Sequence, residues 1–309
     1  MIELSGLTKA YHGVAALNDV SFSVPTGSVL ALLGHNGAGK TTTVKILSTL
    51  IQPTSGRALV AGFDVVTQAG LVRQNIGVTG QEACLDQLLT GRENLTLFGR
   101  LHGLRRRQAR ERADELIDQF DLEHAADRSV QTYSGGMRRR IDIAVALVVP
   151  PKVLFLDEPT TGLDPRSRRQ VWALVSSLAA QGVTVLLTTQ YLEEADILSD
   201  SIVILDSGRV VASGTADDLK GQIGTSYCQV TLVRTADVAR VAAVLADIDE
   251  IDADEETNTV SVRAADGVGT LSEVFRRLDQ LGVELIDISL RKPSLDEVFL
   301  HLTPPALTP

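Results

Sequence analysis

The chain has 309 residues, 44% of them hydrophobic, which suits one large globular domain plus a smaller one and argues against a disordered chain. Lys and Arg total 29 against 39 Asp and Glu, and the formal charge of -10 weighs against a nucleic-acid binder, although a local basic patch could survive in an acidic total. Two cysteines, Cys84 and Cys228, have neither metal-site spacing nor the density of a disulfide scaffold, so a reducing cytosol is expected.

The first dozen residues lack the apolar core of a secretory signal, and apolar runs such as 143–149 are too short for a bilayer. Work at a membrane would therefore need a partner to hold the chain there. Residues 1–24 read as edge strands with turns at Ser5-Gly6 and His12-Gly13. Tyr11 lies among them, either as packing or as an aromatic for a purine ring to stack on.

Pro25 and Gly27 turn the chain into a short apolar run, 28–33, that reads as a buried strand. The text LGHNGAGKTTT follows, with Gly34, four residues, then Gly39-Lys40-Thr41. That is the G-x-x-x-x-G-K-[ST] phosphate loop, in its required setting between a strand and a helix. Backbone N–H groups at such a turn point at a phosphate chain, and glycines let the backbone approach it closely. The phosphate-binding set is Gly34, Asn36, Gly37, Gly39, Lys40, Thr41 and Thr42. Lys40 can reach the β- and γ-phosphates, and the Thr41 hydroxyl can ligate Mg²⁺.

A helix over 40–50 stops before Pro53, a strand and turn span 56–62, and a short strand over 76–79 leads directly to Gln81. Thr90 and Glu93 have capping-box spacing for a helix reaching Leu101, and 108–120 has helical periodicity. Residues 88–149 are thus a mainly helical insertion. The arginines Arg105, Arg106 and Arg107 within it read as a solvated helix start. Tyr133-Ser134-Gly135-Gly136-Met137 precedes a helix expected over 137–148, and is either a plain helix cap or a second anion-binding end.

KVLFLDE, 152–158, is a buried strand delivering Asp157 and Glu158 beside the phosphate loop. Adjacent carboxylates at a core strand's end are costly unless a cation pairs with them. Asp157 suits Mg²⁺, a hard ion that prefers oxygen ligands, and Glu158 is placed to polarise a water against the γ-phosphate. A turn at 161–165, a helix over 166–181 and a strand over 183–188 follow, with Gln190 just past the strand. A hairpin over 202–213 closes a mixed sheet whose strand ends would carry the nucleotide.

Together these segments resemble the ATP-binding-cassette ATPases: GHNGAGKT as phosphate loop, YSGGM as signature, VLFLDE as acidic strand. In detail the text is most similar to the daunorubicin/doxorubicin drug-resistance exporters, through IGVTGQ, LTGRENL, TTQYLEEAD and SLDEVF. The resemblance covers about 1–220, and it implies a P-loop α/β core with a mixed sheet and a helical insertion. It implies ATP and Mg²⁺ as cofactors, with Thr41, Gln81 and Asp157 around the metal, Glu158 and Gln190 catalytic, and Tyr11 stacking on adenine. It further implies Asp164 in the D-loop, and Ser134, Gly135 and Gly136 of one copy covering the ATP of another. With one phosphate loop per chain, a homodimer is required, working on a separate membrane permease and lying peripherally on the cytoplasmic side of the cell membrane. Two departures stand out: Tyr133 and Met137 replace the usual Leu and Gln, and Gln190 replaces the usual switch histidine.

Residues 221–309 read as a small α+β accessory domain of βαβαβ order, with strands at 227–234, 259–263 and 283–290. Residues 247–256, with seven carboxylates, read as a solvated loop. Ser294 and Glu297 cap a last helix. The expected function is the ATPase half of an exporter of a drug or lipid. The alternative, an assembly or nucleic-acid ATPase of the same type, would usually bring a coiled-coil insertion or a second cassette, and neither is visible. A GTP switch lacks an N-K-x-D element.

Overall fold

The computed structural model describes residues 1–80, 84–223 and 226–303. It divides into two compact units, Met1–Ala216 and Asp217–Pro309.

In the first unit, β1 (Ile2–Tyr11) and β2 (Val14–Val24) form an antiparallel pair, and β3 (Val29–Leu33) is buried along its whole length. The phosphate loop leads into α1 (Lys40–Leu47), three residues shorter than its sequence pattern because the chain turns at Ser48. β4 (Ser55–Val60) and β5 (Phe63–Asp64) complete the antiparallel sheet, ordered β2-β1-β4-β5. After α2 (Ala69–Arg73) and β6 (Ile76–Thr79), the chain enters the helical segment: α3 (Gly91–Leu101), α4 (Arg106–Gln119) and α5 (Gly135–Ala146). The Thr90–Glu93 capping box is formed in both directions.

β7 (Val153–Asp157), α6 (Pro165–Ala180), β8 (Thr184–Thr189), α7 (Leu192–Leu198), β9 (Ser201–Asp206) and β10 (Arg209–Gly214) finish the unit. The larger sheet runs β10-β9-β3-β8-β7-β6, parallel except for β10. Every residue of β3, β7 and β8 is buried, as expected for parallel strands covered on both faces. Ile2, Leu4 and Leu7 of β1 join Leu30, Leu32, Phe155 and Leu186 of the parallel sheet in one core. That core fixes the carboxyl ends of β3, β7 and β8 side by side, which is where ligands bind in such sheets.

The second unit opens with α8 (Ala216–Ile223), which starts at the boundary. Its order is β11 (Tyr227–Leu232), α9 (Val238–Leu245), β12 (Ile251–Asp254), β13 (Thr259–Arg263), α10 (Val268–Leu281), β14 (Leu285–Arg291) and α11 (Leu295–Leu302). The antiparallel sheet is ordered β12-β13-β11-β14, a ferredoxin-like βαββαβ unit. This corrects the three-strand reading: residues 251–254 of the acidic run are a fourth strand. As an edge strand β12 pairs on one side only, so Asp252 and Asp254 can keep their charges in water. Among the described residues, no helix is long and apolar enough to cross a membrane.

Candidate nucleotide site

The ends of β3 and β7 set the chemistry. Gly39, the N-cap of α1, has φ +110°, and a Cβ there would lie 2.6 Å from Leu17 Cδ2, so only glycine fits the turn. Lys40 is buried to 4% exposure, and its Nζ donates to Gly34 O at 2.7 Å and His35 O at 3.2 Å. Its ammonium stands 3.8 Å from Glu158 Oε1. Burial lowers the Lys40 pKa, while Glu158 and Asp157 oppose the change. His35 bridges Asn36 O and Asp206 Oδ1, each at 2.7 Å, and these bonds raise its pKa.

Asp157, at the end of β7, is buried, and its Oδ1 accepts from Thr188 Oγ1 at 2.5 Å and from Thr41 Oγ1 at 3.4 Å. Two hard oxygens thus meet at the start of α1, leaving further coordination to waters and phosphate, the donor set Mg²⁺ favours. Glu158 has left-handed backbone (φ +48°), and its N–H is held by Thr188 Oγ1 at 3.0 Å. An open cavity of about 970 Å³ is lined on one side by Asn36, Gly37, Gly39, Lys40, Thr41 and Thr42. Glu158 and, from α5, Gly135 and Arg139 face the same space.

The remaining expected residues divide. Ser134 is the N-cap of α5 and accepts from Met137 N at 3.3 Å, which starts the helix earlier than its apolar pattern does. A Cβ on Gly136 would come within 2.4 Å of Ser167 Oγ, so that glycine also lets α5 approach α6. Asp164 caps α6, accepting from Arg166 N and Ser167 N at 3.0 Å each, and these bonds, with the Ser167 hydroxyl foremost, hold its pKa low. Tyr11 is 42% exposed at the end of β1, with Lys9 Nζ 5.1 Å from its ring centre. Gln190 is exposed just past β8. Neither Tyr11 nor Gln190 lines the cavity. Gln81 lies outside the described residues.

Tyr133 is buried and donates its hydroxyl to Ala125 O at 2.8 Å, so the departure from Leu is satisfied inside the helical segment. Sequence reasoning missed Arg139, whose guanidinium reaches Gly80, Asp157 and Pro159, and missed buried Glu194. Only the run YSGGMRRR hinted at the first, since three consecutive arginines on a helix packed on one side span more than its solvent face.

The ABC transporter family model matches residues 17–161, and a model of the C-terminal domain of DrrA1-3-like ATP-binding proteins matches 214–303. The doxorubicin resistance ATP-binding protein DrrA of Mycobacterium tuberculosis is 51% identical over 98% of this chain and 93% of its own. The chain belongs to the ABC transporter ATPases. Within that family this ABC ATPase falls in the daunorubicin/doxorubicin-resistance branch. The Streptomyces peucetius daunorubicin/doxorubicin resistance protein DrrA shares 49% identity over 98% of this ATPase and 92% of its own length. Among solved structures, the post-hydrolysis dimer of the ATP-binding cassette MJ0796 with ADP and phosphate covers 70% of this chain and 98% of its own. Its TM-score is 0.64 at 28% identity, so the first unit of this ABC ATPase has the cassette fold and binds ATP.

Proposed function

We propose that this ATPase is the ATP-hydrolysing subunit of a bacterial exporter of drugs or lipids, acting as an ATP-bridged homodimer on a separate permease at the cytoplasmic face of the membrane. The convergence of Lys40, Thr41 and Glu158 on one cavity, with Asp157 against Thr41 behind it, carries this reading. Lys40 meets the β- and γ-phosphates, and the backbone of Gly34, Asn36, Gly37, Gly39 and Thr42 surrounds them. Thr41 and Asp157, with Gln81, would hold Mg²⁺, which would withdraw charge from the phosphoryl oxygens. Glu158 takes the proton of the attacking water, and Gln190 donates an amide N–H to the γ-phosphate.

Tyr11 stacks on the adenine. The helix end at Ser134, Gly135 and Gly136 of one protomer covers the ATP of the other, with Asp164 beside it. ATP then bridges the protomers, and hydrolysis releases them to drive the permease. The drug-resistance names of the relatives support an amphipathic organic cargo. Reconstitution in vesicles with a permease partner tests the reading. Drug-stimulated ATP turnover and ATP-dependent cargo movement are expected, and a vesicle system with neither overturns it.

A further inference from the structure

We infer that Arg139 is a positioning residue for Glu158, and that it ties the signature helix to the hydrolytic carboxylate within one protomer. The inference rests on the reading of Glu158 as the base. Arg139 sits on α5, one turn past the signature glycines. Its Nε donates to Pro159 O at 3.0 Å and an Nη donates to Asp157 O at 3.0 Å. The guanidinium therefore grips the carbonyls of Asp157 and Pro159, the residues on either side of Glu158. The other Nη donates to Gly80 O at 2.9 Å and to Asp142 Oδ2 at 3.2 Å.

Glu158 needs such a grip. A non-glycine residue in the left-handed region persists only where its surroundings fix it, and its two flanking peptide planes decide where its carboxylate points. Thr188 and Arg139 hold the two ends of the Asp157–Glu158 peptide, its N–H and its C=O, and Arg139 also holds the Pro159 carbonyl further along the chain. The planar fork suits this task because its donors have fixed relative directions, which a lysine ammonium lacks. Arg139 is nearly buried, with 11% of its side chain exposed, and Asp142 is 5% exposed. Its neighbours on α5 face elsewhere: Arg138 reaches Tyr133 O, and Arg140 reaches Phe120 O. Any tilt of α5 as the signature end engages nucleotide would move the Arg139 head, and with it the backbone of Glu158 and of Gly80.

The test is steady-state turnover and nucleotide affinity of the full chain carrying Arg139→Gln, Arg139→Lys, Glu158→Gln and the Arg139→Gln/Glu158→Gln pair. Arg139→Gln should lower kcat roughly 10- to 100-fold and leave the affinity for a fluorescent ATP analogue within about twofold. Arg139→Lys should recover part of the loss. In the pair, Arg139→Gln should add nothing to the loss from Glu158→Gln, because both act through one carboxylate. Wild-type kcat in Arg139→Gln, matched falls in kcat and affinity, or additive losses in the pair would overturn the inference. If Arg139→Gln does not fold, Asp142→Asn releases one contact and should lower kcat about threefold at unchanged affinity; unchanged kcat there overturns it too. A wild-type chain without ATP turnover would instead sink the function proposed above.

Discussion

The indole Nε1 of Trp172 donates a 3.0 Å hydrogen bond to Glu194 Oε1, joining α6 to α7. Thr160 Oγ1, two residues past Glu158, donates to the same oxygen at 2.9 Å. Burial raises the Glu194 pKa, and bonds from Thr189, Thr160 and Trp172 counter it. Nearby, Arg168 on α6 stacks on the Tyr191 ring, 4.9 Å from its centre. Glu194→Ala leaves the Trp172 and Thr160 donors, among others, without an acceptor and opens a void, so unfolding in urea should show a loss of roughly 3 kcal/mol. Glu194→Gln keeps the shape and one acceptor oxygen and should lose less than half of that; equal losses would mean that the carboxylate itself, not packing, sets the effect.

Lys40→Ala and Glu158→Gln should fail at different steps. The first removes the one buried ammonium at the phosphate loop, so ATP binding itself should be lost. The second keeps shape but not the proton acceptor. It should bind ATP, turn over at least roughly 100-fold more slowly, and elute at twice the protomer mass in ATP. Near-normal turnover by Glu158→Gln would remove it as base.

Gln190 stands exposed at the end of β8, outside the cavity lining. Its proposed bond to the γ-phosphate would therefore form on nucleotide binding. Replacing it with Ala should lower turnover about 10- to 100-fold, the value of a hydrogen bond to a charged acceptor. Gln190→His should regain turnover with a dependence on pH near neutrality that the wild type lacks. Unchanged turnover and affinity in the Ala variant would dismiss Gln190 from the site.

Asp142 gives a pH signature of its own. Burial pushes its pKa up to about 6, with Arg139 countering. The folded chain thus holds this proton more tightly than the unfolded chain, where the value is ordinary. Its stabilising contribution is fully present below about pH 4 and is lost as pH rises through 6. The loss is on the order of 3 kcal/mol. Chemical denaturation at a series of pH values should show that slope in the wild type relative to Asp142→Asn; parallel curves would place Asp142 outside the balance.

The phosphate loop and acidic strand were legible because their chemistry is local: a few adjacent residues, each type required, between apolar runs. Thr188 and Arg139 were not, because they act across 31 and 18 residues on Asp157 and its carbonyl, and nothing nearby in sequence marks the partner. Glu194 is one of several acids in LEEAD, and only the packing of α7 on α6 buries it. Strand β12 was hidden for a different reason. Its acids resemble those of a loop, and only an edge position makes them compatible with a strand.

That acidic edge bears on how the protein behaves in concentrated solution. β12 offers an unpaired row of backbone donors and acceptors, guarded mainly by charge. Asp254 is held below its ordinary pKa by the Thr257 hydroxyl and the Glu256 N–H, so its charge persists into more acidic solution than an ordinary carboxylate's. Net repulsion between molecules also vanishes near the isoelectric point of about 5.0. Colloidal stability should therefore collapse on mild acidification, before the fold itself is lost, as second units add strand to strand. Light scattering on titration from pH 7 would rise near pH 5. Asp252→Lys on the edge strand should shift that onset by restoring a charge that acid cannot remove.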